Sequence, residues 1–140
     1  MPCLQIKAAN TFMAEIEAGK LAVQRGADKR IKNFGAMMVK DHLKANAKLT
    51  ALAKLKKITL PDSVGGTERG SINSLRTKTG KAFDKAYINY ATAAHTNAIG
   101  LFDDAAKHRF DPDIRKFADK TSPMLKRHLD AISGIHESTK

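Results

Sequence analysis

Apolar residues recur every three or four positions along almost the whole chain, and the strict alternation typical of a β-strand is missing. The pattern predicts an all-α protein with four long helices, at about 6–25, 29–57, 81–107 and 112–135. Asp28 and Asp111 each stand just before a predicted helix, where a carboxylate can accept hydrogen bonds from free backbone N–H groups. Gly26 fits the end of the first helix, and Pro112 fits the start of the fourth. Pro123 lies inside the fourth helix and predicts a kink.

The segment 58–70 contains Pro61 and three glycines, and it is predicted to be the one long connection. Fully extended it would reach about 40 Å, so it could turn locally or cross along the bundle, and the pattern leaves both open. A short helical piece is predicted between Ser71 and Gly80. Four helices with one long connection between the second and third predict a ferritin-like four-helix bundle. We expect a single domain over 1–140, with a flexible N-terminus at about 1–5.

Each of the four helices carries a potential metal ligand near the middle of its apolar stripe. With about 100° of rotation per residue, these are Glu15, His42, His95 and His128. Burial of an ionisable group is costly unless the group is paired or bound to a metal. One core histidine is usually a structural residue, whereas three histidines with a glutamate predict a metal site in the bundle core.

The same four residues lie at similar heights along the bundle axis. Glu15 is 11 residues before Gly26 and His42 is 16 residues after it, a difference of roughly 8 Å. His95 and His128, counted from Arg109, differ by roughly the same distance. The two helical hairpins therefore bring their ligands together near mid-bundle, whichever path the long connection takes.

Two aspartates are further candidates for the metal site. Asp41 could orient its neighbour His42 or add a ligand, and it could equally lie on a solvated face, because adjacent residues point about 100° apart. Asp84 faces inward but lies about 16 Å from His95 along the axis. It could cap a helix, join a second site or bond a neighbour.

Three imidazoles and a carboxylate suit transition metals, with zinc first and iron, manganese or copper as alternatives, better than they suit calcium or magnesium. A diiron bundle would require Glu-x-x-His on two helices. Val39 and Leu125 stand three residues before His42 and His128, so that signature is absent.

The chain is strongly basic, with 25 Lys and Arg against 14 Asp and Glu and a net charge of +11. Such an excess suggests attraction to nucleic acid or to an anionic membrane surface, although a solvated surface is the simpler interpretation. The single cysteine, Cys3, excludes a disulfide within one chain. No apolar run approaches the roughly 20 residues needed to span a bilayer, and no secretory signal is visible.

Several stretches together resemble a bacterial ferritin-like family known chiefly as a domain of unknown function. They are AEIEAGKLA (14–22), MMVKDH (37–42), FDKAY (83–87) followed by His95, and SPMLKRHL (122–129). The resemblance covers nearly the whole chain and implies a bundle with a crossover between the second and third helices, often exported to the periplasm. It implies no reaction. The matched positions are Glu15, Asp41, His42, Asp84, His95 and His128.

Four functions remain open at this point. The first is a metal-binding protein that holds or buffers zinc or a similar ion, and the second is a metalloenzyme of redox or hydrolytic type. The third is a polyanion-binding protein that uses the row of Lys40, Lys44 and Lys48. The fourth is a bundle whose core histidines are hydrogen-bonded and bind nothing.

Overall fold

The computed structural model describes residues 3–108 and 111–139, and these ranges contain five helices and no strand. The helices are α1 (Cys3–Arg25), α2 (Lys29–Leu55), α3 (Gly66–Arg76), α4 (Gly80–His108) and α5 (Pro112–Ser138). Helices α1, α2, α4 and α5 form the bundle, and α3 belongs to the long connection. The predicted all-α bundle with one long connection between its second and third helices is confirmed.

The predicted caps form where the sequence places carboxylates. Asp28 accepts a hydrogen bond from the backbone N–H of Arg30 and begins α2. Asp111 accepts from the N–H groups of Asp113 and Ile114 and begins α5. Pro123 lies inside α5, as expected.

The first helix begins earlier than its pattern predicts. Residues 4 and 5 belong to α1 rather than to a flexible terminus, because Leu4 and Gln5 are buried. The side chain of Cys3, together with Met1 and Pro2, lies outside the residues that the structure describes.

The long connection crosses the length of the bundle. At one end, the guanidinium of Arg25 donates to the carbonyl oxygen of Lys78, so the end of α1 lies beside the start of α4. At the other end, the ammonium group of Lys56 lies 2.9 Å from Asp111 and 2.8 Å from Asp113, so the end of α2 lies beside the start of α5. The chain between α2 and α4 therefore passes from one end to the other, and a local turn is excluded.

Helix α3 lies along this crossover and packs on α1 and α4. It begins at Gly66, five residues before the predicted Ser71. The side chain of Asn10 bonds residues on both sides of this start. Its carbonyl oxygen accepts a hydrogen bond from the N–H of Gly65 at 2.8 Å, and its amide group donates one to the carboxylate of Glu68 at 2.9 Å. Asn10 is 55 residues away in the chain, so local pattern alone could not locate the helix start.

Helices α1 and α2 approach each other closely at a pair of glycines. A Cβ atom built on Gly35 would lie 2.6 Å from the carbonyl oxygen of Gly19, and one built on Gly19 would lie 2.8 Å from that of Gly35. Only hydrogen atoms fit between the two backbones there. This close approach brings the α2 side chains deep into the bundle.

The apolar core consists of two clusters. The turn-end cluster surrounds Phe34 and Tyr87, near the α1–α2 turn, and includes Ile72 and Leu75 of α3. The opposite-end cluster surrounds Phe12 and Phe102. Buried ionisable residues lie between the clusters, and they form the candidate site.

Candidate metal centre

Three histidines from three helices converge in the middle of the bundle. His42 comes from α2, His95 from α4 and His128 from α5, and each is at most 2% exposed. One potential ligand atom from each ring lies within 4.8 Å of the other two. The ring centroids are 5.3 to 5.7 Å apart. The convergence predicted from stripe and height thus occurs for all three histidines.

Two of the rings are oriented by their own helices. The Nδ1 atom of His42 lies 3.0 Å from the carbonyl oxygen of Met38, and that of His95 lies 2.8 Å from the carbonyl oxygen of Ala91. A carbonyl oxygen only accepts, so each Nδ1 carries the proton and donates it. The Nε2 atom of each neutral ring therefore has a free lone pair.

The third ring is oriented by a neighbouring helix. The Nε2 atom of His128 lies 2.8 Å from Oδ2 of Asp41 on α2 and donates to that carboxylate. The lone pair of His128 consequently lies on Nδ1. Proteins commonly fix metal-binding histidines in this way, with the second ring nitrogen donating to a carbonyl or a carboxylate.

Two of these lone pairs face each other. The Nε2 atom of His95 and the Nδ1 atom of His128 are 3.3 Å apart. With both rings oriented as described, no proton is left to join them, and the contact is repulsive unless a cation lies near both. Two nitrogens bound to one tetrahedral zinc ion, each at about 2.0–2.1 Å, are about 3.3 Å apart. The spacing therefore matches a shared metal ion.

The third lone pair has no partner either. The Nε2 atom of His42 is buried and forms no hydrogen bond with the residues that the structure describes. An unpaired buried acceptor costs about 1–3 kcal/mol, and a metal ion would satisfy it. The donor set at the centre is thus three neutral imidazole nitrogens.

Burial keeps the three histidines neutral. Burial, together with the smaller effects of the neighbouring His95 and His128, lowers the pKa of His42 to about 3. Burial likewise lowers the pKa of His95 to about 4. For His128 burial again lowers the pKa, although the hydrogen bond to Asp41 opposes this. Neutral imidazoles are the form that binds metal ions.

Two phenylalanines enclose the three rings. The ring of Phe12 meets His42 edge-on at 5.6 Å between centroids, and Phe34 meets His95 and His128 at 6.4 Å. The two phenylalanines belong to the opposite-end and turn-end clusters, respectively. The centre is therefore closed above and below by apolar surface.

Glu15 lies behind one of the three histidines. Its Oε2 atom is 3.6 Å from Nδ1 of His95, on the side of the ring away from the facing lone pairs. Both carboxylate oxygens are buried, and neither has a well-formed hydrogen bond to the described residues. Burial raises the pKa of Glu15 to about 8, against a smaller lowering by the hydroxyl of Tyr90. Glu15 is thus next to the centre, but it is not among the three converging atoms.

The two predicted aspartates have different positions. Asp41 does reach the centre, but it contacts His128 rather than its chain neighbour His42, because adjacent residues on a helix diverge. The structure does not bring Asp84 to the histidines. Its two oxygens accept hydrogen bonds from the backbone N–H groups of Ala27 and Asp28, both at 2.9 Å. Asp84 therefore bonds a neighbour and braces the α1–α2 turn.

Two tyrosines beside Glu15 were not predicted as part of the site. Tyr87 is buried, and its hydroxyl forms no hydrogen bond with any residue that the structure describes. Burial and the Glu15 carboxylate raise the pKa of both Tyr87 and Tyr90. The sequence indicates only that the two tyrosines lie three residues apart and therefore on the same side of α4. That spacing is equally typical of two ordinary core residues, so it does not identify them as part of a site. Tyr90 also lines an open groove of about 1190 Å³ between α1, α4 and the crossover.

A family model for a domain of unknown function, DUF4142, matches residues 5–135. The chain belongs to the DUF4142 family. No curated protein matches it. This DUF4142 chain is similar in structure to a Streptomyces coelicolor protein named DUF305 and provisionally described as secreted, with a TM-score of 0.78 and 10% sequence identity. The alignment covers 94% of this chain and 88% of the other, and at that identity it shows the fold alone.

The resemblance to a helical family of unknown function is confirmed at this level. No helix in the described part of the DUF4142 chain is both long and apolar enough to span a membrane.

Proposed function

We propose that this protein binds one transition-metal ion, zinc first, through His42, His95 and His128. The proposal rests on the Nε2 atom of His95 and the Nδ1 atom of His128, which lie 3.3 Å apart with their lone pairs facing each other. It rests also on the Nε2 atom of His42, which forms no hydrogen bond with the described residues. Each ring is already held in the tautomer that a metal requires. A set of structural histidines would be expected to donate to one another, whereas these donate away from the centre.

Charge balance also supports a divalent ion. The three imidazoles are neutral, so an ion brings two uncompensated charges into the core. Asp41 supplies one negative charge through His128. Glu15 lies 3.6 Å from His95, and the charge of a bound ion would favour the ionised form of this carboxyl over the protonated form of the metal-free protein. Softer thiolate ligands are absent from the three-histidine group, and imidazole suits zinc, copper, nickel and iron.

Burial favours holding an ion over turnover of a large substrate, because none of the three rings is more than 2% exposed. We propose storage or buffering of the ion as the function. Export from the cytoplasm is part of the proposal, and it is supported by the provisional description of the DUF305 protein and by the family resemblance.

The test is elemental analysis of the protein purified without a histidine tag, followed by zinc titration of the chelator-treated protein. We expect one ion per chain. His42→Ala and His128→Ala should lose it, and His42→Gln is a second variant that keeps a polar side chain if the alanine variant fails to fold. His108→Ala, on the exposed end of α4, is the matched control and should keep the ion. Equal metal content in all of these variants would contradict the proposal.

A metalloenzyme at the same site is the second candidate. Three protein ligands leave a fourth coordination position for water, which is the composition of many catalytic zinc sites. Tyr90 also connects the surroundings of Glu15 to an open groove, which would provide access. The visible spectrum of the cobalt-substituted protein distinguishes the two. A spectrum that is insensitive to added azide would exclude an exchangeable water ligand and thus the enzyme.

A further inference from the structure

The positive charge of the protein is concentrated on one helix. Helix α2 carries seven Lys and Arg residues against one acidic residue, Asp41. Helix α4, of similar length, carries three lysines against three aspartates, and α5 carries five basic against four acidic residues. More than half of the net charge of +11 therefore comes from α2.

The lysines of α2 form an exposed row. Lys40, Lys44 and Lys48 follow one another at intervals of four, so they lie along one side of the helix. All three are exposed, and Lys54 extends the exposed face toward the end of α2. Within the part of the chain that the structure describes, none of the ammonium groups of these four lysines forms a salt bridge or a hydrogen bond. Their charge is free to act on a partner.

Two large apolar side chains lie on the same face. Leu43 is 52% exposed and Leu55 is 68% exposed, and each is adjacent in sequence to a lysine of the row or its extension. At about 100° per residue both lie within about 60° of Lys40 around the helix. The exposed face of α2, defined here by Lys40, Leu43, Lys44, Lys48, Lys54 and Leu55, thus combines positive charge with apolar side chains.

From this face we infer that the protein binds the surface of an anionic lipid bilayer through α2. A helix of 27 residues is about 40 Å long, and its straight row of lysines fits an extended plane of headgroups. Lysines beside exposed leucines are typical of helices that lie at a membrane interface, where the leucines enter the headgroup region. Binding of single-stranded nucleic acid usually adds aromatic side chains for stacking, and the exposed face of α2 has none.

The test is co-sedimentation with vesicles. The protein is incubated with phosphatidylcholine vesicles and with vesicles that also contain phosphatidylglycerol, at low and at moderate salt. We expect binding only to the anionic vesicles. The triple variant Lys40→Gln, Lys44→Gln, Lys48→Gln should bind on the order of a hundredfold more weakly, because each lysine near such a surface contributes a factor of about five.

The matched control is a triple variant on α4, Lys81→Gln, Lys85→Gln, Lys107→Gln, which removes the same charge from exposed positions of another helix. It should keep most of the binding. Leu43→Ser, Leu55→Ser should weaken the part of the binding that survives moderate salt. Equal loss in the two lysine variants would contradict the assignment to α2, and tighter binding to duplex DNA than to anionic vesicles at the same salt would contradict the assignment to lipid. The zinc content of the α2 variant reports separately on the metal site.

Discussion

The side chain of His128 donates its Nε2 proton to Asp41 over 2.8 Å, and the two residues are 87 positions apart in the chain. This contact joins α5 to α2. It also decides which nitrogen of His128 is free, and so directs the lone pair on Nδ1 of His128 toward His42 and His95. Asp41 is 30% exposed, so this carboxylate is the part of the centre nearest to solvent.

We expect Asp41→Asn to weaken zinc binding by about tenfold, and Asp41→Ala by up to about a hundredfold, because a carboxylate behind a ligating histidine orients the ring and increases its basicity. Asparagine keeps an acceptor but loses the charge, so its effect should be the smaller of the two. Competition with a fluorescent zinc chelator measures the affinity. Asp130→Ala, an exposed acidic residue two positions from His128, is the control and should leave the affinity unchanged.

The metal-free protein should lose stability in mild acid. His42 and His95 have folded-state pKa values of about 3 and 4, below the ordinary value of 6.5. The unfolded chain therefore binds protons first, and the stabilisation that is present above pH 6.5 is lost as the pH falls toward 4, by on the order of a few kcal/mol. Urea unfolding of chelator-treated protein at pH 7 and pH 5 measures this loss.

His42→Leu removes one of the two groups and fills the space with an apolar side chain. The loss of stability between pH 7 and pH 5 should be clearly smaller in this variant than in the wild type. His108→Leu, at an exposed position, should retain the full loss. A His42→Leu protein as sensitive to acid as the wild type would show that His42 is not held neutral in the fold.

Glu15 has the opposite dependence on pH. Burial raises its folded-state pKa to about 8 from an ordinary value of 4.5, so its protonated form is favoured in the fold. Its stabilising contribution is complete below pH 4.5 and is lost as the pH rises through 8. Glu15→Gln cannot ionise, so the metal-free variant should gain stability relative to the wild type between pH 5 and pH 8, with no further gain above that.

Chemical denaturation at pH 5, 7 and 9 measures this difference, and the histidine contributions cancel in the comparison. The control is Glu17→Gln, because Glu17 is partly exposed, pairs with Arg69 and Arg76 of α3, and has a lowered pKa. The control should become relatively less stable at neutral pH. A difference between Glu15→Gln and the wild type that stays constant from pH 5 to pH 9 would contradict the raised pKa.

Replacing a glycine by alanine should have opposite effects on stability at two positions, because Gly35 lies at the close approach of α1 and α2 whereas Gly134 does not. Gly35→Ala should cost about 1–3 kcal/mol, because the new methyl group would lie 2.6 Å from the carbonyl oxygen of Gly19 and 2.7 Å from Cβ of Ala22. Gly134→Ala, on α5, meets nothing within 4 Å and should stabilise by about 0.5–1 kcal/mol through helix propensity. Thermal unfolding of the two variants provides the comparison, and a stable Gly35→Ala protein would show that the two helices can separate at little cost.

The sequence predicts those features of the fold and the site that depend on residues only a few positions apart in the chain. Helical periodicity and the caps at Asp28 and Asp111 are local, and they predict the bounds of the four long helices to within three residues. The inward position of His42, His95 and His128 follows from the same periodicity, so the core of the site is predictable as well.

Contacts between distant segments are beyond such reasoning. Counting residues gives the position of each side chain along the bundle axis to within about one and a half helical turns. That is too coarse to decide whether the Glu15 carboxylate faces the lone pairs of the histidines or lies behind His95. The hydrogen-bond partner of Asp41 is His128 of α5, and the side chain that bonds the start of α3 is Asn10 of α1. Both contacts depend on how the helices pack.

The division of the three histidines between the two hairpins has a kinetic consequence. His42 belongs to the α1–α2 hairpin, whereas His95 and His128 belong to the α4–α5 hairpin, so an ion bound to all three ties the halves of the molecule together. With Phe12 and Phe34 closing the two sides, such an ion leaves readily only when the hairpins part. The residence time of the metal would then be governed by the opening rate of the bundle rather than by the strength of its bonds to nitrogen.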